Sequence, residues 1–353
     1  MKCILAILIF VLLAMSMSGC NCASSNNHGT KVVGSWKLLS KEIGIIPGPV
    51  SVETDLIFFD ENEGIATNIF QVSRTVDGGK EWIRGHDFYP QDITVSLFIL
   101  AEDQSVLGVG WKHLDEERRA PAVVHSNDRG KTWTQLEIDF GDEKKLTNGS
   151  ISFVDICFES PDIAWLASDV GLVEISLHEQ AIRIEKVLRT EEKLFSVSCS
   201  STGPRVVVVG KGAVYRYGDQ GVSRLYPPSD FTYSRVRQID NDIWLLGWKR
   251  LHSNSNSVDT GESGIILFSG DGGSTWENRT PKEIRFFSDI EFRKGKGWLT
   301  GSDGSLFYSD DNGKSWHHVP VPSTHDLYSI FYLNEQNIWI SGLNGTILKY
   351  GVD

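Results

Sequence analysis

Cationic residues are in deficit in this 353-residue chain, with 34 Lys and Arg against 46 Asp and Glu and a net charge of −12. That balance argues against a nucleic-acid backbone as the main partner, which calls for clustered Lys and Arg. Long apolar runs are also lacking. The one extended run, Ile4 to Met15, rises only about 18 Å as a helix, short of the ~30 Å hydrocarbon core of a bilayer. No HExxH, CxxC or GxSxG sequence and no P-loop occurs. The zinc, thiol, acyl-transfer and phosphate chemistry those spacings build therefore has no local support, and neither a metal nor a cofactor is expected. Helix-type Ala-Leu-Glu-Lys periodicity is weak, whereas 34 Gly and eleven Trp point to many short strands joined by turns.

The first twenty residues read as an address. Lys2 supplies a positive start, the apolar run follows, and Ser18-Gly19-Cys20 ends it. That ending resembles a bacterial lipobox, with Met17 where such signals usually carry Leu, and it implies that a lipid on Cys20 anchors the exported chain. Residues 21–32 are small and polar, the composition of a tether. Cys157 and Cys199 fall in apolar strands and are expected to be buried free thiols; a disulfide is the alternative that spacing leaves open.

Repetition organises the remainder. GIILFSGDGGSTW ends at Trp276, and GSLFYSDDNGKSW ends at Trp316, forty residues on. Two further turns, TVDGGKEW and SNDRGKTW, match them, so the shared elements are Asp77 with Trp82, Asp128 with Trp133, Asp271 with Trp276 and Asp311 with Trp316. An Asp in such a turn accepts the following backbone N–H groups and Gly takes the reversal, so these residues are read as fold-makers. Strand patterning adds degenerate copies at His178, Asp219 and Val352, giving seven in all. Each copy also carries an apolar a-strand and a b-strand, the latter holding Trp165, Trp244, Trp298 or Trp339 in four copies.

Four short antiparallel strands per copy, at about forty to fifty residues per copy, are the signature of a β-propeller blade. The seventh copy runs out before its fourth strand, while Gly34-Ser35-Trp36 offers a strand with a fitting Trp. The expectation is an all-β, seven-bladed propeller over residues 33–353 whose N-terminal strand closes the last blade.

These Ser/Thr-x-Asp-x-Gly-x-x-Trp turns resemble Asp-boxes, the BNR repeats of sialidases and sortilin-type receptors. The fuller blade is most similar to photosystem II assembly factor-like propellers. That resemblance implies a non-enzymatic, exported, membrane-tethered scaffold that binds a protein or peptide partner, with assembly of an envelope complex as its task and a monomer as its state. The alternative is a glycan-acting propeller, either a hydrolase or a lectin-like binder. The Arg-Ile-Pro motif of sialidases is absent, and carboxylates near a-strands, such as Asp92, Asp155, Asp240 and Asp289, cannot be paired from sequence. No catalytic residue is assigned.

Candidate binding residues come from an irregularity. Most copies have a tight b–c turn, but the second and fifth carry insertions, each opening with Gly-Trp-Lys. Long loops on a rigid scaffold are where function is commonly placed. Trp111, Lys112 and His113 in one loop, and Trp248, Lys249 and Arg250 in the other, combine aromatic and cationic groups. Tyr233, Arg235, Arg237 and Arg285 approach the same face by register and either bind an acidic partner or neutralise nearby carboxylates. His317 and His318 are read as surface residues of an outer strand.

Overall fold

One copy of the repeat cannot bury both faces of its own sheet, so copies must stack. In the b-strand Lys296–Gly301 every residue after the first is buried, as a strand packed on both faces requires. The computed structural model describes residues 34–40, 55–68, 71–88, 93–101, 103–115, 118–143, 151–178, 180–200, 205–239, 241–250, 262–282 and 286–351. The signal, Cys20, the tether, Asp92, Asp240, Arg285, Val352 and most of the fifth-copy insertion lie outside them.

Seven sheets, each built on four antiparallel strands, follow in chain order. Blade one is β2 (Asp55–Phe58), β3 (Gly64–Asn68), β4 (Gln71–Thr75) and β5 (Ile83–Asp87). Blade two is β6 (Ile93–Leu100), β7 (Val106–His113), β8 (Arg119–Ser126) and β9 (Thr134–Gln135). Blade three is β11 (Phe153–Ser160), β12 (Ile163–Ser168), β13 (Gly171–Leu177) and β14 (Ala181–Arg189). Blade four is β15 (Leu194–Cys199), β16 (Val206–Gly210), β17 (Ala213–Gly218) and β18 (Gly221–Leu225). Blade five is β19 (Thr232–Ile239), β20 (Asp242–Arg250), β21 (Glu262–Ser269) and β22 (Glu277–Asn278). Blade six is β23 (Phe287–Arg293), β24 (Lys296–Gly301), β25 (Leu306–Ser309) and β26 (His317–His318), whose two histidines are exposed. Blade seven comprises β27 (Leu327–Asn334), β28 (Asn337–Gly342), β29 (Ile347–Gly351) and, as its outer strand, β1 (Ser35–Ser40).

The closure is thus the expected one. Trp36 pairs with Tyr350 and its ring meets Trp298 of blade six edge-on at 5.2 Å.

Two features go beyond the sequence reading. Blade three keeps its four antiparallel strands and gains a fifth at its edge: β10 (Glu137–Asp139), leaving blade two, adds in parallel to β14 and carries Ile138 onto the core between the blades. Cys157 and Cys199 are not free thiols but a disulfide, because β11 and β15 lie side by side and bring their Cα atoms to 5.6 Å.

The Asp-box carboxylates accept from the backbone of the turns that follow them. Asp271 Oδ1 accepts the backbone N–H groups of Ser274 and Thr275, each at 2.9 Å, and Asp128 does the same for Lys131 and Thr132. Each box Trp then enters the seam between its own blade and the preceding one: Trp133 packs on the core of blades one and two, Trp276 on that of four and five, and Trp316 on that of five and six. Gly313 of the last box has φ +69, and a Cβ there would stand 2.4 Å from the Trp244 ring. Tight b–c turns at Asp303-Gly304 and Asn344-Gly345 use left-handed φ at both residues, the type I′ geometry that matches strand twist.

Candidate functional site

The b–c turns and the connections into each a-strand share one face, opposite the boxes, and the a-strands start there around the central channel. Near those starts the ladder slips by one residue in six blades: Val95/Leu97, Phe153/Asp155, Leu194/Ser196, Tyr233/Arg235, Phe287/Asp289 and Leu327/Ser329. Each slip is a β-bulge, which re-aims the residue that follows. In five cases that residue is polar, and it reaches the neighbouring blade or receives its reach. Asp155 Oδ2 accepts from Ser196 Oγ at 2.6 Å and from the Val197 N–H at 3.0 Å. Ser196 Oγ in turn accepts the Val236 N–H at 3.3 Å, and Asp289 Oδ2 accepts that of Ile330 at 3.0 Å. Ser329 Oγ donates to Asp55 Oδ1 at 3.0 Å. A polar belt therefore crosses from blade to blade beneath the mouth.

The arginines of blade five belong to this belt. Arg235 Nε lies 3.2 Å from Asp289 Oδ1, and its Nη1 is 3.9 Å from Asp155 Oδ2. Arg237 reaches the same Asp289 oxygen through Nη2 at 3.2 Å and Glu291 Oε2 through Nε at 3.5 Å. Burial works against the Arg237 charge, but Asp289 and Glu291 outweigh it and raise its pKa. Burial also pushes the Glu291 carboxyl up despite Arg237 beside it, and the charge on Asp289 adds to the rise. Of the two readings offered by sequence, neutralisation of carboxylates is the one the ion pairs support. Asp155 and Asp289 are 3% and 0% exposed and held by backbone N–H groups, so neither faces a ligand as a glycosidase acid would.

Tyr233 is 1% exposed and donates its hydroxyl proton to the Pro228 carbonyl. Burial raises its pKa, so it anchors the segment entering blade five as a neutral phenol.

The rim residues form two separate groups. In blade five, half-buried Trp248 lies 5.5 Å from Phe286 of the next blade's entry, and Lys249 pairs with Asp230 at 2.9 Å with its ammonium 5.8 Å from the Phe231 ring. Arg250 pairs in the ladder with Glu262. In blade two the hairpin extends past the face: Trp111 pairs with Pro121, donates through Nε1 to His113 Nε2 at 3.2 Å, and is covered by Arg119 at 5.1 Å. Lys112 pairs with Ala120 on the same hairpin, and Leu114 at its tip is exposed. Blades three and four separate the two groups on one side of the ring. Phe231 and Phe286 escaped the sequence reading, since each precedes its a-strand without a motif. Phe195, exposed at the bulge of blade four, escaped it too. Among the described residues no group of three His, Cys, Asp or Glu could hold a metal.

Comparison with known proteins agrees with this architecture. The sequence profile of the family "Photosynthesis system II assembly factor YCF48" matches residues 250–325 and 286–351. The photosystem II assembly lipoprotein Ycf48 of Synechococcus sp. (strain CC9902) is 23% identical, with 98% of this chain and 96% of that protein aligned. That of Picosynechococcus sp. is 25% identical over 65% of this chain and 78% of its own length. Among solved structures, YCF48 bound to D1 peptide covers 90% of this chain and 97% of its own at TM-score 0.64 and 18% identity. YCF48 from Cyanidioschyzon merolae covers 90% and 99% at TM-score 0.64 and 17% identity. The chain is a BNR-type seven-bladed propeller similar to the photosystem II assembly factors.

Proposed function

We propose that the chain is a non-enzymatic scaffold that holds a protein partner, as an extended peptide, on its loop face, and assists assembly of an envelope complex. The observation that carries this reading is the rim of blade five, where Trp248, Phe286 and Phe231 present half-buried aromatic surface beside the Lys249–Asp230 pair. Aromatic side chains next to a charge supply large contact area with few rotamers to lose. A similar propeller solved with a bound peptide supports the same use of the fold. Arg235, Arg237 and Tyr233 sit below this surface and fix its position, while Trp111, Lys112 and His113 offer a second contact across the mouth.

The anchor follows from Cys20, with the propeller on the exported side of the membrane as a monomer; relatives named as lipoproteins support it. Cys20→Ala should move the chain from the membrane to the soluble fraction on fractionation.

Capture from detergent-solubilised envelopes tests the binding. Trp248→Ala should weaken retention of the co-purifying subunit by roughly thirtyfold, the ~2 kcal/mol of an interface hot spot, and Trp111→Ala should weaken it less. Unchanged capture by both variants would remove the rim from the account. Turnover of chromogenic glycosides, abolished by one carboxylate change, would replace the scaffold reading with hydrolysis.

A further inference from the structure

Every seam of the ring has a wedge position on its outer strand, the residue that pairs, or would pair, with the c-strand residue two before the box Asp. Trp82, Trp133, Trp276, Trp316 and Trp36 occupy it in blades one, two, five, six and seven. Blade three has no Trp there, but β10 covers the seam with Ile138, and Phe140 packs on the same core. Blade four has neither. Its wedge residue is Val222, paired with Tyr217 and 46% exposed. Between blades three and four a groove of 510 Å³ remains, lined in part by Leu172, Val187, Val208, Tyr215, Tyr217 and Val222.

The same seam is the one that carries the Cys157–Cys199 bond, which joins β11 to β15. At the corresponding height, blades seven and one oppose Phe331 and Phe58 at 6.1 Å, and blades four and five are linked by the Gln238 N–H donating to Ser198 Oγ at 3.0 Å. Neither of those seams lacks its Trp.

We propose that the disulfide is a redox latch: it closes the seam that has no wedge, and a dithiol reductant opens the ring between blades three and four. Cys199 is half-buried and Cys157 buried, so a thiolate of the reductant attacks Cys199 Sγ and displaces the Cys157 thiolate, which takes up a proton. The reductant's second thiolate attacks its own sulfur in the mixed disulfide and releases Cys199. Two electrons and two protons reach the protein, and the reductant leaves as a cyclic disulfide. The seam then rests on the inner core of Trp165, Leu194, Val197 and Val208, on Asp155 with Ser196 and on the Trp165–Tyr217 contact at 4.7 Å, while further out Lys186 Nζ, 3.3 Å from the Tyr217 hydroxyl, crosses beside the open groove. Removal of the cross-link also restores freedom to the loop of 42 residues it closed. The latch operates whether or not the rim binds a peptide.

Hydrogen exchange of the full chain, read by mass spectrometry, tests it. Dithiothreitol should speed exchange in β13 to β18 by at least about tenfold and leave β23 to β29 unchanged. Cys157→Ser/Cys199→Ser should show the same pattern without reductant and no further response. Adding Val222→Trp to that pair should restore slow exchange by filling the groove. Exchange that is unaltered by reduction of the wild-type chain, or that rises equally in all blades, overturns the latch; so does a triple variant as open as the double one. A non-reduced digest in which the 157 and 199 peptides are not joined overturns it at the start. Should the serine variants fail to fold, the reductant series on the wild-type chain still decides.

Discussion

The carboxylate of Asp271 accepts the N–H groups of Thr275 and Ser274 and the hydroxyls of Thr275 and Ser269. Those donors, the Thr275 N–H foremost, bring its pKa from 3.8 down to about 2. The folded state thus holds its proton more weakly than the unfolded chain does. Stability from this box is complete above about pH 3.8 and is lost as pH falls towards 2. Asp271→Asn should melt below the wild type at pH 6, and the gap should shrink through that window in a series of thermal scans. Asp289 differs in kind, being the shared partner of Arg235 and Arg237 and the acceptor of the Ile330 N–H. Asp289→Ala leaves two guanidinium groups in the channel with less countercharge and should cost about 3 kcal/mol in denaturant titration.

Among the elements, β1 joins the chain's two ends. Its ladder with β29 runs from Ser35–Gly351 to Ser40–Ile347, and Trp36 fills the blade six side. Trp36→Ala should destabilise by about 3–5 kcal/mol, the cost of emptying a large aromatic site, measured as a lower denaturant midpoint. A chain lacking residues 1–40 should expose β29 and elute as aggregates on gel filtration, since an unpaired edge recruits other edges. The strand β10 works the opposite way, shielding the edge of β14 through Glu137, Ile138 and Asp139.

At the scale of the whole molecule, blade number and closure were legible because Trp and Asp recur in register with turn chemistry that is local. A box reads the same in sequence and in space. The belt of Asp155, Ser196, Arg235, Asp289 and Ser329 was not legible, because its partners lie on different blades 40 or more residues away. The disulfide was hidden for the same reason, as a separation of 42 says nothing about which strands face each other. Three residues of β10 carry too little pattern to announce a parallel pairing. The rim tryptophans were visible through their shared Gly-Trp-Lys, whereas Phe231 and Phe286 became neighbours only through the ring.

Trp36 meets Tyr350 across almost the entire length of the polypeptide. A nascent chain can therefore stack its early blades as they emerge, yet the circle stays open until the final hairpin has been made. Any truncated product keeps two bare blade faces, one at each end of the arc.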